Sequence, residues 1–156
     1  MLNYRLSTVA QNSVLPNQVG FIRGRSGSTN IAKMESKGMA MARIGFKHPA
    51  ALFLDFKAAF PSVNHSYMHH MMQATLGVGA LLGVMQMLYT SNEATVLVMG
   101  NEYDTIMMNS GIRQGCPASG SIFVLALDPW MRLLLLRIPR ALPCGFADDT
   151  RCCSRS

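Results

Sequence analysis

Acids are scarce in this sequence, and scarcest where bases gather. Glu35 and Asp55 are the only acids of the first half, which carries Arg23, Arg25, Lys33, Lys37, Arg43, Lys47 and Lys57. Over 156 residues, 14 Lys and Arg stand against 8 Asp and Glu, a net charge of +6. That balance suits a polyanionic partner, although scattered surface charge explains it equally well until motifs are read. Cys116, Cys144, Cys152 and Cys153 lack CxxC spacing and a neighbouring His pattern, which argues against a zinc site and for reduced thiols in an intracellular protein. The N-terminus lacks the apolar core of a signal peptide. The longest apolar runs are broken by Asp128, Arg132 and Arg137, so no membrane span is expected. The length suits one modest domain with its own core.

The most informative stretch is Ala51-Leu52-Phe53-Leu54-Asp55-Phe56-Lys57-Ala58-Ala59-Phe60. Ala51 to Leu54 reads as a short buried strand after Pro49. A carboxylate at its end costs several kcal/mol if buried unpaired, so Asp55 should face a cation, either Lys57 or a metal ion. A capping or turn role explains an isolated Asp just as well.

Before this stretch, residues 1–17 read as either a short helix or an extended lead-in. The segment from Gln18 to Ser28 is rich in Gly and Arg, which lets backbone amides approach a phosphate and arginine forks grip it; a solvated loop is the alternative. Thr29 or Asn30 could cap a helix to about Ile44, with Ile31, Met34, Met39 and Ala42 inward. After it, Asn64 or Ser66 could cap a helix ending at Gly77. His65 and His69 share a face at i, i+4, but no acidic partner follows to complete a metal site. A second helix covers about Ala80 to Tyr89. Two strands, 94–99 and 103–108, flank a Gly100-Asn101-Glu102 turn. The loop Ser110-Gly111-Ile112-Arg113-Gln114-Gly115-Cys116-Pro117 leads into a helix over about 119–138, roughly 30 Å long, with Phe123, Leu127, Trp130, Met131 and Leu134 on one face and Asp128 at the surface. Cys144-Gly145-Phe146-Ala147-Asp148-Asp149 then sets two acids side by side. Their repulsion raises one pKa unless a cation intervenes, and exposed turn aspartates are the plain alternative.

Taken in order, four of these words resemble the reverse transcriptases of non-LTR (LINE-type) retrotransposons. They are Gln18-Val19-Gly20-Phe21-Ile22 with Gly24-Arg25; Phe53 to Phe60; Gly111-Ile112-Arg113-Gln114-Gly115-Cys116-Pro117; and Phe146-Ala147-Asp148-Asp149. The resemblance implies an α+β fold, a right-hand polymerase with a small antiparallel palm sheet packed by helices. Residues 1–48 correspond to fingers and 49–156 to palm, truncated before the thumb. It implies two Mg²⁺ (or Mn²⁺) held by Asp55, the Phe56 carbonyl, Asp148 and Asp149. Phe60 becomes the aromatic under the incoming sugar. Gln114, Gly115 and, less directly, Arg25 meet the incoming nucleotide, while Arg23, Lys33 and Lys37 meet nucleic acid. The implied partners are an RNA template, a DNA primer and deoxynucleoside triphosphates, with no membrane, and the implied location is intracellular, in the nucleus. Oligomeric state is left open.

Three features depart from the family pattern. Pro61 stands where an Asp follows the gate aromatic, and Gly120 stands where a Pro opens the helix. Thr150 to Ser156 reads as polar where an apolar strand should complete the hairpin. From that last feature and the lack of a thumb, the expectation is a frayed Asp148 turn and weak or absent polymerisation. Two other functions compete: a non-catalytic nucleic-acid-binding remnant and a two-metal nuclease, the latter disfavoured by motif order.

Overall fold

The computed structural model describes residues 2–44, 49–138 and 141–155. Five helices and five strands follow in the order α1 (Leu2–Ser13), α2 (Gly27–Arg43), β1 (Pro49–Leu54), α3 (His65–Leu76), α4 (Ala80–Tyr89), β2 (Glu93–Val98), β3 (Asn101–Met107), α5 (Ser119–Arg137), β4 (Leu142–Phe146) and β5 (Asp149–Arg155). The lead-in is therefore helical. Leu6, Ala10 and Val14 repeat at i, i+4, i+8, and all three are buried. They join Met68 and Met72 of α3, Met85 of α4, and Ile122, Val124 and Met131 of α5 in one core. By length and composition α5 could cross a membrane, but it is the central helix of this core, buried from Ser119 to Asp128 apart from a half-buried Gly120.

Asp128 is thus not the surface residue its sequence context suggested. It is buried, accepts a hydrogen bond from the Leu15 amide at 2.7 Å and pairs with Arg132 Nε at 2.5 Å. A charge can be buried here because both its partners are built in. Asn64 caps α3, accepting from the Tyr67 amide at 3.2 Å, and Gly77 closes it. The β2–β3 turn is Met99–Gly100, both with positive φ (50° and 81°), one residue earlier than the sequence suggested. The expected inward face of α2 is only partly inward: Ile31 and Met39 are exposed, and buried Asn30 faces β4 instead.

Two antiparallel sheets form, β1-β5-β4 and β2-β3. The first corrects the sequence reading twice. A return strand does follow Asp149: β5 is the centre strand, pairing with β1 (Ala51↔Cys153, Leu54↔Thr150) and with β4 (Phe146↔Asp149). Its buried residues are Thr150, Cys152 and Cys153, small side chains, and the two thiols pack like apolar groups. Arg151 need not enter the core; its guanidinium lies over the Phe53 ring, 5.7 Å from the centroid. Conversely, β1 is not a buried strand. Leu52 is 54% and Phe53 67% exposed, because β1 is a sheet edge that the helices barely cover.

Candidate active site

The strand register gathers the three acids. Leu54 pairs with Thr150, so Asp55, one step beyond, stands beside Asp149. The β4–β5 turn is Ala147–Asp148, between the paired Phe146 and Asp149. All three carboxylate residues therefore sit at one end of the β1-β5-β4 sheet, with Asp55 and Asp149 exposed and Asp148 half-buried. Among the described residues, no group of three His, Cys, Asp or Glu is arranged to hold a metal ion. Their placement at one sheet end and their donor chemistry fit a hard divalent cation. The Phe56 ring anchors the backbone next to Asp55, meeting Trp130 edge-on at 5.2 Å. Lys57, the candidate cation for Asp55, borders an apolar cavity of about 390 Å³ beneath Phe56, lined also by Tyr67, Phe123 and Trp130.

A second cleft, about 460 Å³, brings together Phe60, Gln114 and Gly115, with Phe21, Ser119 and Gly120 beside them. Asp55 is not among its lining residues. Phe60 stacks on Phe123 (4.4 Å, 14°) and meets Phe21 edge-on at 5.9 Å. Its register with the Gln114 loop is fixed by backbone bonds: the Ile112 amide to the Phe60 carbonyl at 2.9 Å and the Gly111 amide to the Val63 carbonyl at 2.8 Å. His65, buried, completes this zipper. Its Nε2 lies 2.8 Å from the Gly111 carbonyl and must be the protonated nitrogen, while the ring meets Tyr89 edge-on. His65 therefore has a structural part in holding this zipper together. Gly120 has a role of its own here. A Cβ at this position would lie 2.6 Å from the Phe21 ring, so the residue that replaces the family's proline makes room for Phe21.

The Gly/Arg-rich loop is anchored at Gln18, Val19, Gly20 and Ile22, which are buried, while Arg23 and Ser26 face solvent. Arg25 donates to the carbonyls of Leu15 and Gln18, both at 2.7 Å, Gln11 at 2.9 Å and Val14 at 3.2 Å. Burial lowers its pKa, with Asp128 opposing. The fork expected to meet a triphosphate is engaged in closing the C-terminal end of α1. Lys33 Nζ reaches Asn17 Oδ1 at 3.3 Å, and Arg23 is exposed. Sequence reasoning gave no individual role to Gln18, which is fully buried against Ala147. A Gln in a Gly-rich loop that must pack against backbone was the available signal.

The reverse transcriptase (RNA-dependent DNA polymerase) family model matches residues 1–156, and the chain belongs to that family. It is 29% identical over 157 residues to the Transposon TX1 uncharacterized 149 kDa protein of Xenopus laevis, covering 95% of this chain and 12% of that protein. This agrees with the non-LTR class suggested by the Arg-Gln-Gly-Cys-Pro wording. Among solved structures, apo telomerase from Candida tropicalis, truncated from its C-terminal domain, superposes with a TM-score of 0.73 at 11% identity, over 99% of this chain and 34% of that one. Telomerase from Candida albicans, in complex with a fragment of telomeric RNA, gives 0.71 at 12% identity, over 99% and 30%. These establish the shared fold. The chain spans about an eighth of its curated relative and about a third of each telomerase.

Proposed function

We propose that this chain is the fingers–palm portion, residues 1–48 and 49–156, of an RNA-directed DNA polymerase that adds deoxynucleotides to a primer 3′-hydroxyl on an RNA template. The observation that carries this is the register Leu54↔Thr150, which supports a shared site for Asp55, Asp148 and Asp149. These three and the Phe56 carbonyl would hold two Mg²⁺. When bound, such ions lower the pKa of the attacking hydroxyl and neutralise the leaving pyrophosphate. The chain's own part is positioning. Phe60, backed by Phe123, offers a flat shelf for the sugar. Gln114 and Gly115 border the same cleft, where base and template would lie. Arg23, Lys33 and Lys37 supply charge for the strand, and the salt dependence of binding should report it. Arg25 contributes by fixing the loop that carries Gln18 and Phe21.

The test is primer extension on an RNA template with Mg²⁺ or Mn²⁺. Low incorporation by the 156-residue chain, abolished by Asp148→Asn and Asp55→Asn, is the expected result; incorporation unchanged by either substitution overturns the proposal. Phe60→Val should raise ribonucleotide incorporation relative to deoxyribonucleotide, and unchanged discrimination would remove the sugar-shelf role. A second reading, a nucleic-acid-binding remnant without catalysis, is favoured by the separation of Asp55 from the cleft that holds Phe60 and Gln114. RNA binding with no incorporation under any metal would decide for it.

A further inference from the structure

The β4–β5 turn is strained and yet tightly held. Ala147, the residue before Asp148, has φ 56°, a left-handed conformation that costs a non-glycine residue roughly 1 kcal/mol or more. One side chain compensates. The Gln18 amide accepts from the Ala147 N–H at 3.1 Å and donates through Nε2 to the Ala147 carbonyl at 3.1 Å. Both peptide groups flanking the strained Cα are thus bonded to a single, fully buried planar group. The same Oε1 accepts from the Gly20 amide at 3.1 Å, which fixes the glutamine in turn.

The surroundings leave this amide nowhere else to go. The Val19 amide bonds the Gly145 carbonyl and the Gly145 amide bonds the Asn17 carbonyl, both at 2.9 Å, so residues 17–19 lie along β4 like a short extra strand. A Cβ on Gly145 would come within 2.8 Å of Gln18 Nε2, and a Cβ on Gly20 within 2.1 Å of the Ala147 nitrogen. Both glycines make room for the contact. The chemistry is also selective. The group must offer one donor and one acceptor without placing a charge beside two aspartates. Glutamine does so, leucine offers neither, and an ionised glutamate loses the donor.

We propose that Gln18 is a positioning residue of the polymerase site: its amide fixes the Ala147–Asp148 peptide and thereby holds the Asp148 carboxylate where a divalent cation can use it. The inference rests on the reading of Asp148 as a metal ligand. It adds that the fingers loop and the metal-bearing turn are one unit. Residues that orient a ligand without touching the metal commonly account for a 10–100-fold change in affinity.

The experiment compares the wild-type 156-residue chain with Gln18→Leu, Gln18→Glu and Asp148→Asn, with two readouts. One is amide hydrogen exchange by NMR at Ala147 and Gly20, with Ile122 of α5 as the reference for global folding. The other is Mn²⁺ affinity by electron paramagnetic resonance. In Gln18→Leu, protection at Ala147 should be lost while Ile122 keeps its own, and Mn²⁺ should bind about tenfold or more weakly. In Gln18→Glu, protection at Ala147 should be poor near neutral pH and return as pH falls, because the neutral acid regains the amide's donor and acceptor. Burial places that return above the ordinary glutamate range. Leucine should show no such recovery, and the glutamate series alone decides the matter if the leucine variant does not fold. Wild-type protection at Ala147 in both variants at every pH, or wild-type Mn²⁺ affinity in a folded Gln18→Leu, overturns the inference. Mn²⁺ affinity unchanged by Asp148→Asn overturns the metal reading instead, and the exchange readout then still decides whether Gln18 holds the turn.

Discussion

Two hairpins in this molecule are built to opposite standards. The β4–β5 hairpin carries the Asp148 turn. Its strands are covered by α2 and residues 17–20, Cys144, Thr150 and Cys152 are buried, and its strained residue is bonded from outside. The β2–β3 hairpin is exposed along its full length on both faces, with Leu97 67% and Met99 99% accessible, and its pairing shifts register between Thr95 and Leu97. Both are antiparallel and tightly turned, so their backbone hydrogen bonding is similar. The difference lies in what surrounds them, and local stability follows burial more than secondary structure. The contrast bears on the proposed site: the turn that carries Asp148 is held from outside by Gln18, and the β2–β3 turn has no comparable cover.

Substitutions should separate the two regions by size of effect. Gly20→Ala should be the most damaging, because the added carbon would meet the Ala147 backbone at 2.1 Å and backbone cannot step aside. About 3 kcal/mol of urea-unfolding stability should be lost, and a loss under 1 kcal/mol would mean the two segments are not locked. Next comes Asp128→Ala, which leaves the Leu15 amide and Arg132 without their partner. The expected cost is about 2 kcal/mol in the same assay.

Smaller again is a pH effect from the β4–β5 sheet. Burial, reinforced by the neighbouring thiols, raises the pKa of Cys144 and Cys152. The fold therefore prefers the neutral thiols. That contribution is complete below the unfolded thiol pKa of about 8.5 and is lost as pH rises through the higher folded values. The urea midpoint should fall through this alkaline window, and less so in Cys152→Ala; a midpoint flat across it would contradict the burial of these thiols. The smallest effect belongs to the other hairpin: Leu97→Ser should change stability by no more than about 0.5 kcal/mol. A larger loss would show that β2–β3 is covered in solution.

Much of this arrangement is legible in the sequence, for reasons that can be named. The Asn64 cap, the Gly77 stop and the apolar spacing of α5 are local signals, and each element they mark is present. The motif words place Asp55, Asp148 and Asp149 because the strands that carry them pair. What escaped is what depends on distant partners. β5 reads as polar because its core-facing positions are Thr and Cys, whose burial is decided by neighbouring strands. Asp128 reads as a surface residue until the Leu15 amide, far away in sequence, is found against it. Arg25 reads as a phosphate ligand because nothing in its spacing reveals the carbonyls at the end of α1. Gly120 reads as a loosened helix start, when it is the seat of an aromatic ring.

The strand order β1-β5-β4 also sets a timetable. The middle strand follows both of its neighbours in the sequence, so during translation β1 emerges with no neighbour and waits while three helices, the β2–β3 hairpin and β4 are made. The hydrogen bonds within each helix are local and can form early, whereas non-local strand pairing is slow. Through that interval β1 is unpaired along both edges, the kind of surface that recruits other chains. Insertion of β5 closes the gap from both sides at once and, in the same movement, carries Asp149 alongside Asp55. A nascent polypeptide halted before Thr150 would hold the five helices described here and lack the pairing that brings Asp149 alongside Asp55.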